Sequence, residues 1–172
     1  MKITPPLPTQ HPDFYQRYID AVKGDDLIEI LSQQRDEGLR FMKAIPDEKA
    51  NYSYADGKWS VKEVLIHIID AERVFAYRAM RFARNDKTPL PGFEEDDYAP
   101  ESFAALRTIE SIAGEYAAVR SATIELFKTF NAEQIDRAGM GNNRLMAVRS
   151  LGYAIAGHQQ HHLKVLREKY LL

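Results

Sequence analysis

The feature that most constrains this chain is its helical patterning. Apolar residues recur at spacings of three and four through four long stretches, and no segment alternates as a half-buried strand would. The sharpest start signal is at Ser60 and Glu63, in the S-x-x-E relation of a capping box, with Trp59 and Val64 placed to close a hydrophobic staple. A helix is predicted from Val61 to about Ala83, its face carrying Val64, Leu65, Ile68, Ala71, Phe75 and Ala79. At 1.5 Å per residue that is a rod of roughly 35 Å. A second stretch, Asp25 to Ile45, places Leu27, Leu31, Leu39, Met42 and Ile45 on one stripe and ends at Pro46. A third is expected from about Glu101 to Phe130, along Leu106, Ile109, Ala113, Tyr116, Arg120, Thr123, Leu126 and Phe130, and a fourth from about Met146 to Tyr170. Phe14, Tyr15, Tyr18 and Ile19 suffice for a short helix packed on the main body. The expected fold is all-α: a four-helix bundle with a short extra N-terminal helix and no strand.

Beyond the stretch from Pro46 to Ser60, two breaks separate the rods. Asn85 to Pro100 reads as a loop, with three prolines and the acidic run Glu94 to Asp97; loops of that length in a small domain are often functional. Gly139, Gly141, Asn142 and Asn143 form the other. Pro5, Pro6, Pro8 and Pro12 mark the first dozen residues as an extended lead-in to the short helix, the two together spanning 1–24. A length of 172 residues fits one domain, 1–172, large enough to fold without staples. Cysteine is absent, which removes disulfides and thiolate chemistry and suits a reducing cytoplasm. A net charge of -2 gives no footprint for nucleic acid, and no apolar run approaches the roughly 18 residues of a membrane span.

The chemistry lies in the histidines. On the fourth stretch the stripe Leu151, Ile155 continues through His158 and His162 to Val165 and Leu166, so both rings leave the apolar face one turn apart. That H-x-x-x-H spacing lets two imidazoles share one ion. His161 lies about a quarter-turn off the line. His67, on the edge of the buried face of the Val61 to Ala83 rod, could meet the pair across the core. Three imidazoles would leave positions open for water or substrate, and an all-nitrogen set suits Zn, Ni, Fe or Cu better than Mg or Ca. Ordinary histidine pKa values near 6.5 predict loss of metal below about pH 6. The plainer alternative is that these are core polar groups, and His11 in the lead-in is expected to be solvent-exposed. Gly152 and Gly157 beside the pair suit either space for a ligand or close helix packing. Asp70 is a candidate to orient the His67 ring and Glu63 belongs to the cap. Phe93 and Tyr98 could fold over a cavity. No phosphate loop, nucleophile elbow or H-E-x-x-H occurs.

The segments WSVKEVLIHIIDAERVFAYR (59–78), PLPGFEEDDYAP (89–100) and GHQQHHLKVL (157–166) resemble the DinB-like metal-dependent proteins, the DinB/YfiT group. The resemblance covers the chain from about Asp25 onward: a Trp-Ser helix start, a histidine on the helix that follows, and H-x-x-x-H on the last one. It implies an up-down-down-up bundle with a metal site at His67, His158 and His162, often in a homodimer. Implied activities are hydrolysis or thiol-dependent transfer on an unassigned small-molecule substrate; the alternative is a protein that binds a metal or small molecule without turnover. Many relatives read H-E-x-H-H-R at the last histidines, where this chain has Gln159, Gln160 and Leu163. A homodimer is also suggested by apolar residues beyond a single stripe, namely Ile28, Ile30, Ile112, Val119 and Phe127.

Overall fold

The computed structural model describes residues 1–172. Its helices are α1 (Asp13–Ala21), α2 (Leu27–Lys43), α3 (Val61–Ala83), α4 (Glu95–Glu101), α5 (Ile109–Lys128), α6 (Ala132–Asp136) and α7 (Val148–Lys169). Two short strands, β1 (Ala138–Gly141) and β2 (Arg144–Ala147), pair between α6 and α7. The capping box forms as the sequence requires: Ser60 N donates to Glu63 Oε2 at 2.6 Å and Glu63 N to Ser60 Oγ at 3.3 Å. Asp26 caps α2 and Thr108 caps α5 in the same way, each accepting from a first-turn N–H.

The direction of each long helix follows from what it buries at its two ends. One apolar cluster gathers Leu27 and Leu31 from the start of α2, Phe75 and Phe82 from the end of α3, Phe127 from the end of α5 and Leu151 from the start of α7. The other gathers Met42 from the end of α2, Val64 from the start of α3, Ile112 from the start of α5 and Leu166 from the end of α7. So α2 and α7 run one way and α3 and α5 the other, an up-down-down-up order. Residues 84–108 must therefore travel the length of the bundle to link two parallel rods.

Between the clusters lies a buried polar belt to which all four rods contribute. Arg120 of α5 forks onto Glu72 of α3, Nε to Oε1 and Nη2 to Oε2 both at 2.8 Å, with both side chains fully enclosed. Tyr116 Oη donates to Gln159 Oε1 at 2.8 Å, and Gln159 Nε2 to the carbonyl of Gln34 at 3.0 Å. Each charge and amide is matched, which is what makes such a belt tolerable in a core.

Several expectations are corrected. The third rod starts at Ile109 and not Glu101. Phe103 takes a left-handed conformation (φ 49) that breaks the helix, and Pro100, within α4, lies where that helix ends. The expectation of no strand fails at residues 138–147: Asn142 and Asn143 both have positive φ (49 and 57), closing a two-residue turn of the kind that suits a right-twisted hairpin. Leu90 of the crossover bonds to both sides of this turn, donating to Met140 O at 2.9 Å and accepting from Asn142 N at 3.0 Å. His11 is buried, not exposed. Ile3 is buried too, its carbonyl accepting from Leu27 N and Tyr153 Oη, which pins the lead-in. Ile30, Ile112 and Phe127, counted as surplus apolar surface, are interior. No helix is long and apolar enough to cross a membrane.

Candidate metal centre

Antiparallel packing of α3 on α7 brings the three expected histidines together. His67 Nε2 lies 3.0 Å from His158 Nε2, which lies 3.1 Å from His162 Nε2; all three ligand atoms fall within 4.8 Å of one another. A ring nitrogen carries either one proton or one lone pair. His158 Nε2 can therefore satisfy at most one of its two neighbours well, whichever tautomer it adopts. A cation between three lone pairs resolves that conflict. Imidazole nitrogens about 2.0–2.1 Å from a common ion stand roughly 3 Å apart at right-angle coordination and somewhat more in a tetrahedron. The observed separations fit such a donor set.

Electrostatics point the same way. Burial pushes the His67 pKa down to about 4, with Glu95 and Asp96 opposing, and His162 down to about 3, with His67 and His161 adding to the effect. His158, enclosed, is lowered well below the usual histidine range, first by burial and then by the neighbouring rings. All three are neutral at physiological pH, the state in which imidazole binds metal.

The rings are held by aromatic contacts. Trp59, just before the α3 cap, lies 4.8 Å from the His67 ring, and Tyr18 of α1 meets His158 edge-on at 5.6 Å. The approach of α1 depends on Gly157, where a Cβ would come within 2.0 Å of the Tyr18 carbonyl oxygen; Gly152 likewise admits Leu27. Both glycines serve close packing and open no ligand space of their own. Asp70 does not orient His67: it bonds to Arg73 at 3.4 Å, and Glu63 is engaged in the cap. Gln159 belongs to the buried belt, and Leu163 is core. His161 stays off the triad and meets Tyr18 and His162 edge-on.

The three histidines open onto a cavity of about 440 Å³. Its walls come from α1, α3, α7, the crossover and the hairpin, the last two contributing Phe93, Glu95, Gly141, Asn142 and Arg144. Phe93 lines it as expected, while Tyr98 packs on Phe93 from outside, half-exposed. The lining residues not foreseen as site residues include Tyr15, Arg144 and Arg78. Tyr15 sits on the short helix expected only to pack on the main body, and Arg144 just past the break at Gly139 to Asn143. Arg78 was readable, because eleven residues from His67 is three helical turns on the same face.

The model of the DinB superfamily matches residues 30–166. A protein of Oceanobacillus iheyensis, provisionally named a metal-dependent hydrolase, is 23% identical over 124 residues, spanning 71% of this chain and 70% of its own. In structure the chain is similar to YfiT from Bacillus subtilis, described as a proposed metal-dependent hydrolase with an unusual four-helix-bundle topology. The TM-score is 0.65 at 15% identity, over 94% of this chain and 90% of YfiT. A mycothiol-dependent maleylpyruvate isomerase gives a TM-score of 0.64 at 8% identity, over 80% of this chain and 58% of that one. At those identities the structural likeness is one of fold.

Proposed function

This chain belongs to the DinB superfamily, and from that premise we propose that it is a metal-dependent hydrolase holding one divalent ion through His67, His158 and His162. The observation that carries the reading is the convergence of three Nε2 atoms, at 3.0 and 3.1 Å, at the end of a cavity. The nitrogen-only donor set favours Zn, Ni, Fe or Cu over Mg or Ca. A bound ion of this kind would lower the pKa of a water molecule toward neutrality and polarise a substrate carbonyl. The chain's own contribution is to keep three imidazoles neutral and fixed. Trp59, Tyr18 and Phe75 pack on the rings and restrict water around them. Both supporting names, from Oceanobacillus iheyensis and Bacillus subtilis, concern metal-dependent hydrolysis.

Thiol-dependent transfer is the second reading, supported by the shared fold of an isomerase described as mycothiol-dependent. The same ion would then acidify a thiol instead of water. A protein that holds the ion without turnover is the third. A reducing compartment suits a chain without cysteine, and the cytoplasm is the proposed location. A homodimer is carried into this proposal on family resemblance, since Ile30, Ile112 and Phe127 are interior.

Metal analysis of protein purified without a histidine tag tests the site. About one transition-metal ion per chain is expected, falling below a tenth of that in His162→Ala and in His67→Ala while helical circular dichroism persists. Full metal content in either folded variant would reject the ligand assignment.

A further inference from the structure

Arg78 is the one cationic side chain in the cavity wall that is withdrawn from solvent, at 4% exposure; Arg17 and Arg144, also in the wall, are exposed. Its guanidinium offers five N–H donors. The protein supplies a single acceptor, the carbonyl of Pro91, which accepts from Nη2 at 2.8 Å. Every ion pair in the chain is made by other residues. The contrast with Arg120 is direct: that guanidinium is fully enclosed and forks onto Glu72, whereas Arg78 faces the cavity with no carboxylate partner. A buried cation without a counter-charge is among the costliest arrangements a fold can keep. Arg78 is kept on the wall of the cavity that the histidines share.

The surroundings hold this head in the cavity. Gly141 stands where a Cβ would come within 3.2 Å of Arg78 Cδ and Nε. Along α3, His67, Ala71, Phe75 and Arg78 fall on one face, and all four line the cavity. His67 and Arg78 are separated by roughly 16 Å along the helix axis. Side chains lean toward the helix N-terminus, so the long arginine reaches back over part of that gap. Between the two ends the wall is aromatic, with Tyr15, Phe75 and Phe93. The cavity, about 440 Å³, is of the size that takes small organic molecules.

We infer that Arg78 determines specificity by binding the carboxylate end of an elongated small molecule whose other end is presented to the three histidines. The inference rests on reading this cavity as a substrate site. A carboxylate is favoured over phosphate because it matches the planar guanidinium fork and brings one negative charge to one buried positive charge. A phosphate dianion would leave an excess negative charge in the same enclosure.

Calorimetric titration with octanoate, with 1-octanol as its neutral counterpart and inorganic phosphate as the rival anion, tests this on metal-free protein, where no ion competes for the carboxylate. Octanoate is expected to bind at least ten-fold more tightly than octanol. In Arg78→Met that preference should vanish, and in Arg78→Lys it should fall part-way, the charge being kept and the fork lost. Zinc content after reloading should equal wild type in both variants. Without ligand, Arg78→Met should melt at or above the wild-type temperature, since it removes an uncompensated charge; a purely structural arginine would give the opposite. Wild-type protein that does not distinguish octanoate from octanol, an unchanged preference in Arg78→Met, or tighter binding of phosphate would each overturn the inference. Missing hydrolysis or missing zinc would reject the hydrolase reading and leave the metal-free carboxylate binding standing.

Discussion

The nitrogen of His158 that faces two others has a consequence for acid stability. Burial lowers the pKa of His67 to about 4 and of His162 to about 3, and His158 is also lowered well below its usual value. In the unfolded chain each titrates near 6.5. Below that value the unfolded state takes up protons that the metal-free folded state refuses. The stability contributed by these neutral rings is therefore fully present above about pH 6.5 and is lost as pH falls from there toward 4. The slope is up to about 1.4 kcal/mol per pH unit per histidine. Denaturant unfolding of chelator-stripped protein between pH 7.5 and 5 should show this fall, and His162→Gln should make it shallower; a flat profile would contradict the burial described. For the folded protein, proton competition at the ligands moves from the expected pH 6 down to about 4. Metal loss above that range should therefore accompany unfolding.

Among elements, α1 is the one whose position matters most for the site and was least evident from patterning. It rests on α7 through Gly157, where any side chain would meet the Tyr18 backbone. Gly157→Ala should displace α1 and cost about 1–3 kcal/mol, the usual range for overpacking, although alanine is the better helix former. Chemical denaturation would read the loss directly, and wild-type stability would show that α1 is not seated as described. What the sequence made legible follows a physical rule. Rod α3 could be bounded to the residue because Ser60 and Glu63 cap it and an apolar stripe fills it. His67, His158 and His162 could be grouped because helical spacing fixes direction within a rod. The hairpin was illegible as strands: four residues a side show no alternation, and only the Gly141-Asn142-Asn143 turn betrayed it. Arg120 was placed on the third rod's stripe, but its partner Glu72 lies 48 residues away on another rod, beyond what periodicity can pair. The same limit hid the cavity, whose wall is assembled from five separate stretches.

At the scale of the whole molecule, the oligomeric state is open to a direct mass measurement. Sedimentation equilibrium at micromolar concentration should return twice the 19.7 kDa chain mass for a homodimer, and a monomer mass would reject it. Ile112→Asp should unfold the protein and not merely dissociate it, because that side chain is interior. The up-down-down-up course of the chain also bears on how the protein comes into being. Synthesis delivers α1, α2 and α3 long before α7, and His67 precedes His158 by 91 residues. At about 5–20 residues per second, His67 waits on the order of 5–18 s for its partners. During that interval the faces of α1 and α3 that will rest on α7 have nothing to cover them. The ion-binding end of the cavity thus forms only once α7 has been made, and until then the nascent chain is exposed to aggregation and to chaperone capture.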